Sequence, residues 1–132
     1  MSGITNLTDL LKSLSPELQQ GEYVFVSTPK EIEWGRLQPI ATFREKEGLT
    51  LILERSQADA LGYSYDFVAA WITLKVHSAL SAVGLTAAFS NALADEQISC
   101  NVMAGYYHDH IFVAQKDAQK AVEVLQKLAA EA

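Results

Sequence analysis

The chain is poor in cysteine. Of its 132 residues only Cys100 is one, which excludes an internal disulfide and fits a reducing compartment. It is also poor in positive charge. Lysine and arginine number 10 against 16 aspartates and glutamates, for a net charge of −6, and no segment concentrates the basic residues. That removes the footprint by which proteins hold nucleic acid or anionic membrane surfaces, so neither is expected as a partner. No apolar run approaches the roughly 20 residues of a membrane span. The opening segment, MSGITNLTDLLKSLSPEL, lacks the basic start and apolar core of a secretory signal, so a cytoplasmic location is expected and the sequon Asn6-Leu7-Thr8 carries no meaning as one. No GxGxxG follows a strand and no GxxxxGK[ST] occurs, so nucleotide binding through those loops has no support and no cofactor is expected.

What is present is a core. With 49% hydrophobic and 20% charged residues, the chain can bury one moderate domain or two small ones. Leu7, Leu10, Leu11 and Leu14 form one stripe of a helix over residues 5–14, capped by Thr5 or Asn6. Ser15-Pro16-Glu17 reads as a turn or single helical turn with proline first. Residues 23–27 read as a buried strand and 28–39 as a long loop. Strands at 40–44 and 49–54 flank Glu45-Lys46-Glu47-Gly48, a hairpin in which Gly48 is available for a positive φ. Ser56 is placed to cap a short helix ending at Gly62.

The second half is more regular. Ala70, Ile72, Leu74 and Val76 share one face of a strand, with Trp71, Thr73 and Lys75 on the other. A helix over residues 85–95 stripes Leu85, Ala88, Phe89, Ala92 and Leu93. A strand at 98–104 directs Ile98, Cys100 and Val102 to the core. The chain turns at 105–109, returns at 110–113 and ends in a helix over 116–130. The face bearing Trp71, Thr73, Ser99, Asn101 and Met103 invites packing against another surface. A boundary near Phe67 divides the chain into 1–67 and 68–132.

The run Val76-His77-Ser78-x-Leu80-x-Ala82-Val83-Gly84-Leu85, the alanine-rich helix, Ile98-Ser99-Cys100-Asn101-Val102 and His110-Ile111-Phe112-Val113 resemble the ACT domain. More narrowly they are similar to a family of short bacterial tandem-ACT proteins. The likeness is strong over residues 70–130; in the first half, Gly48-Leu49-Thr50-Leu51-Ile52-Leu53 matches best. It implies an α+β chain of two ferredoxin-like sandwiches, antiparallel sheets covered by helices on one face: a degenerate unit at 1–67 and a full one at 68–132. The second unit lacks its last strand after the final helix, so a strand from the N-terminal half is expected to complete it. The family commonly binds amino acids between two such domains. Carried over, the turn supplies His77, Ser78, Val83, Gly84, Leu85 and Thr86, and the second strand supplies Asn101, Val102, Met103 and Ala104.

Physical arguments weigh on these residues. Gly84 before a helix suits approach of a carboxylate to free N–H groups, though a tight turn needs the same glycine. His108-Asp109-His110 places two histidines one strand period apart, and His77 completes a conceivable metal triad. A polar hairpin tip is the plainer reading, and no metal is expected. His77 and Ser78 are adjacent on a strand and point to opposite faces, so they do not make a nucleophile and base. Cys100 shares the core parity and reads as an inert thiol. Tyr106 and Tyr107 wall a pocket or cover a sheet edge. The expected function is non-catalytic: a regulatory protein that binds a small molecule, an amino acid, and forms a homo-oligomer. The alternatives are an interaction module without ligand, and a metal protein or small enzyme built on its histidines.

Overall fold

A computed structural model describes residues 6–29, 34–76 and 79–132. In chain order the elements are α1 (Leu7–Ser13), β1 (Ser15–Leu18), β2 (Tyr23–Thr28), a 3₁₀ turn (Trp34–Arg36), β3 (Ala41–Arg44), β4 (Leu49–Glu54), α2 (Arg55–Ala60), β5 (Val68–Lys75), α3 (Leu85–Asp95), β6 (Asn101–Ala104), β7 (Asp109–Ala114), a second 3₁₀ turn (Gln115–Asp117) and α4 (Ala118–Ala130). They form two compact units. One joins the segment ending at Gln19 to Ala70–Ala132, and the other is Gln20–Ala69.

In the first unit the strands lie in the order β1-β5-β7-β6. The strand expected from the N-terminal half is β1. It runs antiparallel to β5, with Ser15 opposite Lys75 and Leu18 opposite Ile72, and the pairing continues as Gln19 N–H donates to Trp71 C=O at 2.9 Å. This corrects the reading of Ser15-Pro16-Glu17 as a turn or helical turn. Proline lacks an N–H, but an edge strand can leave that donor position vacant. Asn6 caps α1, its side chain accepting from Asp9 N–H at 3.1 Å.

Period-2 burial on β5 sends Ala70, Ile72 and Leu74 into one core with Leu10 and Leu14, with Leu85, Phe89 and Leu93 of α3, and with Ala118, Ala121 and Leu125 of α4. The last two groups repeat at helical spacing, which is why each helix turns one stripe to the sheet. α3 stops where Gln97 takes a left-handed φ of 62°, and the N–H groups of Gln97 and Ile98 close onto Ala94 and Leu93. This is the usual way of ending a helix, performed here without glycine. Ile98 is buried, but β6 proper begins only at Asn101.

In the second unit the order is β3-β4-β2 followed by the first two residues of β5, where Tyr23 faces Ala69 and Val24 faces Val68. Leu49, Leu51 and Leu53 alternate into a small core with Val24, Val26, Leu37 and Ala58. Two local expectations fail here. Gly48 is not among the positive-φ residues; glycine is needed because a Cβ would stand 2.9 Å from the Thr28 carbonyl oxygen. Ser56 does not cap α2, which starts at Arg55 with Glu54 at the cap, two residues earlier than expected, and no side-chain bond.

Candidate functional site

Two of the expected ligand residues, His77 and Ser78, lie outside the described residues. Gly84 is the N-cap of α3 with φ 101°, and among the described residues no side-chain bond caps the helix. The first-turn N–H groups have no partner within the helix, and the first turn itself carries no acidic residue. Val83 is 83% exposed and Leu85 only 3%. Thr86 is exposed, so of the side chains here those of Val83 and Thr86 face solvent, while Leu85 belongs to the core. Leu7 of α1 packs against the Gly84 backbone.

The second group lies along β6. Its register with β7 is antiparallel, Asn101 opposite Phe112 and Met103 opposite His110. Asn101 and Ala104 are exposed and Met103 half-buried. The Asn101 amide donates to the Phe112 carbonyl at 3.2 Å. Val102, read as core-facing, is 39% exposed. Its place on a four-residue edge strand explains this, because a single neighbouring strand covers it from one side.

Sequence parity alone did not identify a third group, the chain Gln19–Thr73–His110–Trp71. The Trp71 indole N–H donates to His110 Nδ1 at 3.1 Å. The Thr73 hydroxyl stands 3.2 Å from the same nitrogen and accepts from the Gln19 amide at 3.0 Å. Trp71 also stacks on Phe112, with ring centroids 6.2 Å apart and planes at 22°. Parity placed Trp71 and Thr73 together; Gln19 and His110 join them only through strand pairing. Burial, the largest cause, and the neighbouring His108 lower the His110 pKa, while Asp109 opposes them. Burial raises the Asp109 pKa, and the two histidines act against it. The hairpin tip is thus partly drawn into the fold. Among the described residues no three His, Cys, Asp or Glu side chains are grouped to hold a metal.

Cys100 is half-buried, and burial raises its thiol pKa against a hydrogen bond with Ser90. In the second unit a cleft of about 420 Å³ is lined by Gly21, Glu22, Glu54, Arg55, Ser56 and Asp59. Arg55 bridges Glu22 at 3.2 Å and donates from Nε to the Tyr65 hydroxyl at 2.8 Å. Tyr65 in turn donates to Asp59 at 2.8 Å. These residues come from separate stretches, so no motif announced them. Among the described residues no helix is long and apolar enough to cross a membrane.

Against known proteins, one model of the ACT domain matches residues 2–70 and another matches residues 67–127. A Vibrio cholerae protein of unknown function, described as a possible transport protein, is 52% identical. The match covers 97% of this chain and 99% of that one, with a TM-score of 0.86. The regulatory subunit of aspartate kinase from Thermus thermophilus, solved ligand-free, is 7% identical over 88% of this chain and 98% of its own, with a TM-score of 0.61. E. coli aspartokinase III, solved with aspartate and ADP, is 14% identical over 86% of this chain and 32% of its own, with a TM-score of 0.63. At those identities the two kinase likenesses speak for the fold alone. No curated protein matches.

Proposed function

This chain belongs to the ACT domain family, and from that premise we propose that it is a non-catalytic regulatory protein that binds a free amino acid in the cytoplasm as a homo-oligomer. The observation that carries the reading is the start of α3. Among the described residues Gly84 leaves the helix without a side-chain cap, and a carboxylate is the natural occupant of such an end. Val83 and Thr86 are the exposed side chains beside it, and Asn101 to Ala104 supply the strand half of the site. The aspartate in the E. coli aspartokinase III complex is consistent with an amino acid as the ligand class. Regulation then follows by linkage: a ligand with different affinities for two assembly states shifts their balance by that difference.

A thermal-shift screen over the amino acids tests this reading, because a ligand specific for the folded chain raises its apparent stability. One amino acid should raise Tm, and its decarboxylated amine should not. Thr86→Glu places a carboxylate at the helix start, where it favours the fold and competes with the ligand; the shift should vanish. A ligand shift of unchanged size in Thr86→Glu would mean that the site lies elsewhere.

One observation favours a second reading, an interaction module without ligand. Among the described residues β6 pairs with β7 alone, and Val102, Tyr106 and Tyr107 are exposed around it. Such an edge is a template for another strand. A stable oligomer that Val102→Lys dissociates, with no amino acid shifting Tm at millimolar concentration, would select this reading over the first.

A further inference from the structure

We propose that His110 is a proton-controlled latch, whose neutral Nδ1 holds Trp71 and Thr73 of β5 against β7 and whose protonation releases Trp71. The geometry fixes the neutral form. An indole N–H can only donate, and Trp71 directs it at Nδ1 from 3.1 Å. Nδ1 is therefore the acceptor and the ring proton sits on Nε2. The Thr73 hydroxyl, 3.2 Å away, approaches the same single lone pair. A proton on Nδ1 occupies that lone pair and sets an N–H against the indole N–H. The Thr73 hydroxyl can rotate to accept from it, but the indole cannot change its role. The two contacts therefore respond differently: Thr73 can keep His110, and Trp71 must let go.

The surroundings give the release a reach beyond one bond. Trp71 is tilted against the His110 ring at 5.7 Å and stacked on Phe112 at 6.2 Å, so its displacement disturbs the middle of the β5–β7 pair. Thr73 is bonded to Gln19, which ties the same centre to the end of β1.

Among the described residues the groups facing His110 are few. On its own strand and hairpin they are Asp109, His108 and the Gly105 backbone, where a Cβ would come within 3.3 Å of the ring. On β6 the register partner is Met103, which is neutral. On β5 and β1 the charges are Lys75 and Glu17, a half-exposed ion pair at 3.6 Å. Of these, Asp109 favours the imidazolium, while His108 and burial disfavour it more strongly. The latch is thus set to stay closed at neutral pH and to open on acidification.

Imidazole nitrogen NMR on the intact chain, titrated from about pH 8 to about pH 4, tests this directly. The expected result has three parts. His110 is the Nε2–H tautomer at neutral pH. It titrates below the ordinary value of 6.5. The Trp71 indole N–H resonance, assigned through Trp71→Phe, shifts with the same midpoint. In His110→Asn, whose side-chain oxygen can accept at the Nδ1 position, the Trp71 shift should be lost; in His108→Asn it should persist. An Nδ1–H tautomer, a midpoint at or above 6.5, or a Trp71 resonance flat through the His110 titration would overturn the proposal. The tautomer and the midpoint are read on the unmodified chain, so the test stands even if a variant fails to fold.

Discussion

Leu7 lies against Gly84: a Cβ added to the glycine would come within 3.2 Å of Leu7 Cδ2. The contact joins α1 to the start of α3 and sets what substitution there can teach. With φ at 101°, Gly84 is in a conformation that L side chains rarely adopt. Gly84→Ala is expected to cost about 1–3 kcal/mol, from backbone strain together with the crowding of Leu7. Urea denaturation measures it. Adding Leu7→Ala should recover only the crowding part, because it leaves the φ requirement untouched. A Gly84→Ala protein as stable as the parent would show that this turn is not held as described. Gly84 is accordingly a poor position for testing ligand binding, and Thr86 a better one.

The N-terminal segment is structural for the C-terminal unit. Leu10 is fully buried in that core beside Phe89 and Leu125, and β1 completes its sheet. Leu10→Ala should destabilise this unit by about 2–5 kcal/mol. A chain beginning at Gln20 should lose hydrogen-exchange protection at Ile72 and Leu74, while Leu51 and Leu53 keep theirs. Retained protection at Ile72 and Leu74 would refute the dependence.

Cys100 should be a sluggish thiol. Its pKa is raised by burial, with the Ser90 hydrogen bond pulling the other way, and only the thiolate reacts. Reaction with a disulfide reagent near neutral pH should be much slower in the folded chain than in denaturant. Ser90→Ala should slow it further by removing the group that favours the thiolate. Equal rates folded and unfolded would contradict this.

Stability should fall on mild acidification. The His110 pKa in the fold lies below its ordinary value of 6.5, so below that pH the unfolded chain takes up a proton that the folded chain resists. The contribution is present above 6.5 and is lost as pH falls through the folded value. Asp109 acts with the opposite sign and lower on the scale. Its pKa is raised above 3.8, so its contribution is full below that value and is lost as pH rises through the folded one. Urea midpoints against pH should show the upper limb, and His110→Asn should flatten that limb alone. An unchanged upper limb in His110→Asn would assign it to another group.

Most of the second half was legible because its hydrophobic residues repeat at one clear period per element. Leu85, Ala88, Phe89, Ala92 and Leu93 mix steps of three and four and can share a face only on a helix, whereas Ala70, Ile72 and Leu74 share one only on a strand. Ser15-Pro16-Glu17 misled because proline after serine is a good start for a helical turn. What made it a strand was the open edge of β5, about 60 residues away in sequence. Gly48 misled in another way: its need for glycine comes from the Thr28 carbonyl beside it, a neighbour that the hairpin pattern does not reveal. The turn at Gly84 was legible as a helix start, whereas Leu85 was grouped with the ligand residues and its side chain lies in the core.

The sequence by itself determined the periodicities, and with them the kind of most elements and the lack of any stretch that concentrates basic residues. These are local properties, set by spacing along one stretch of chain. Only the tertiary structure decided that residues before Gln20 belong with residues after Ala69, and that Gln19, Thr73, His110 and Trp71 meet. Both depend on strand register. Register is a match between distant segments, chosen by which pairing buries both apolar faces at once, and no single segment carries that information alone.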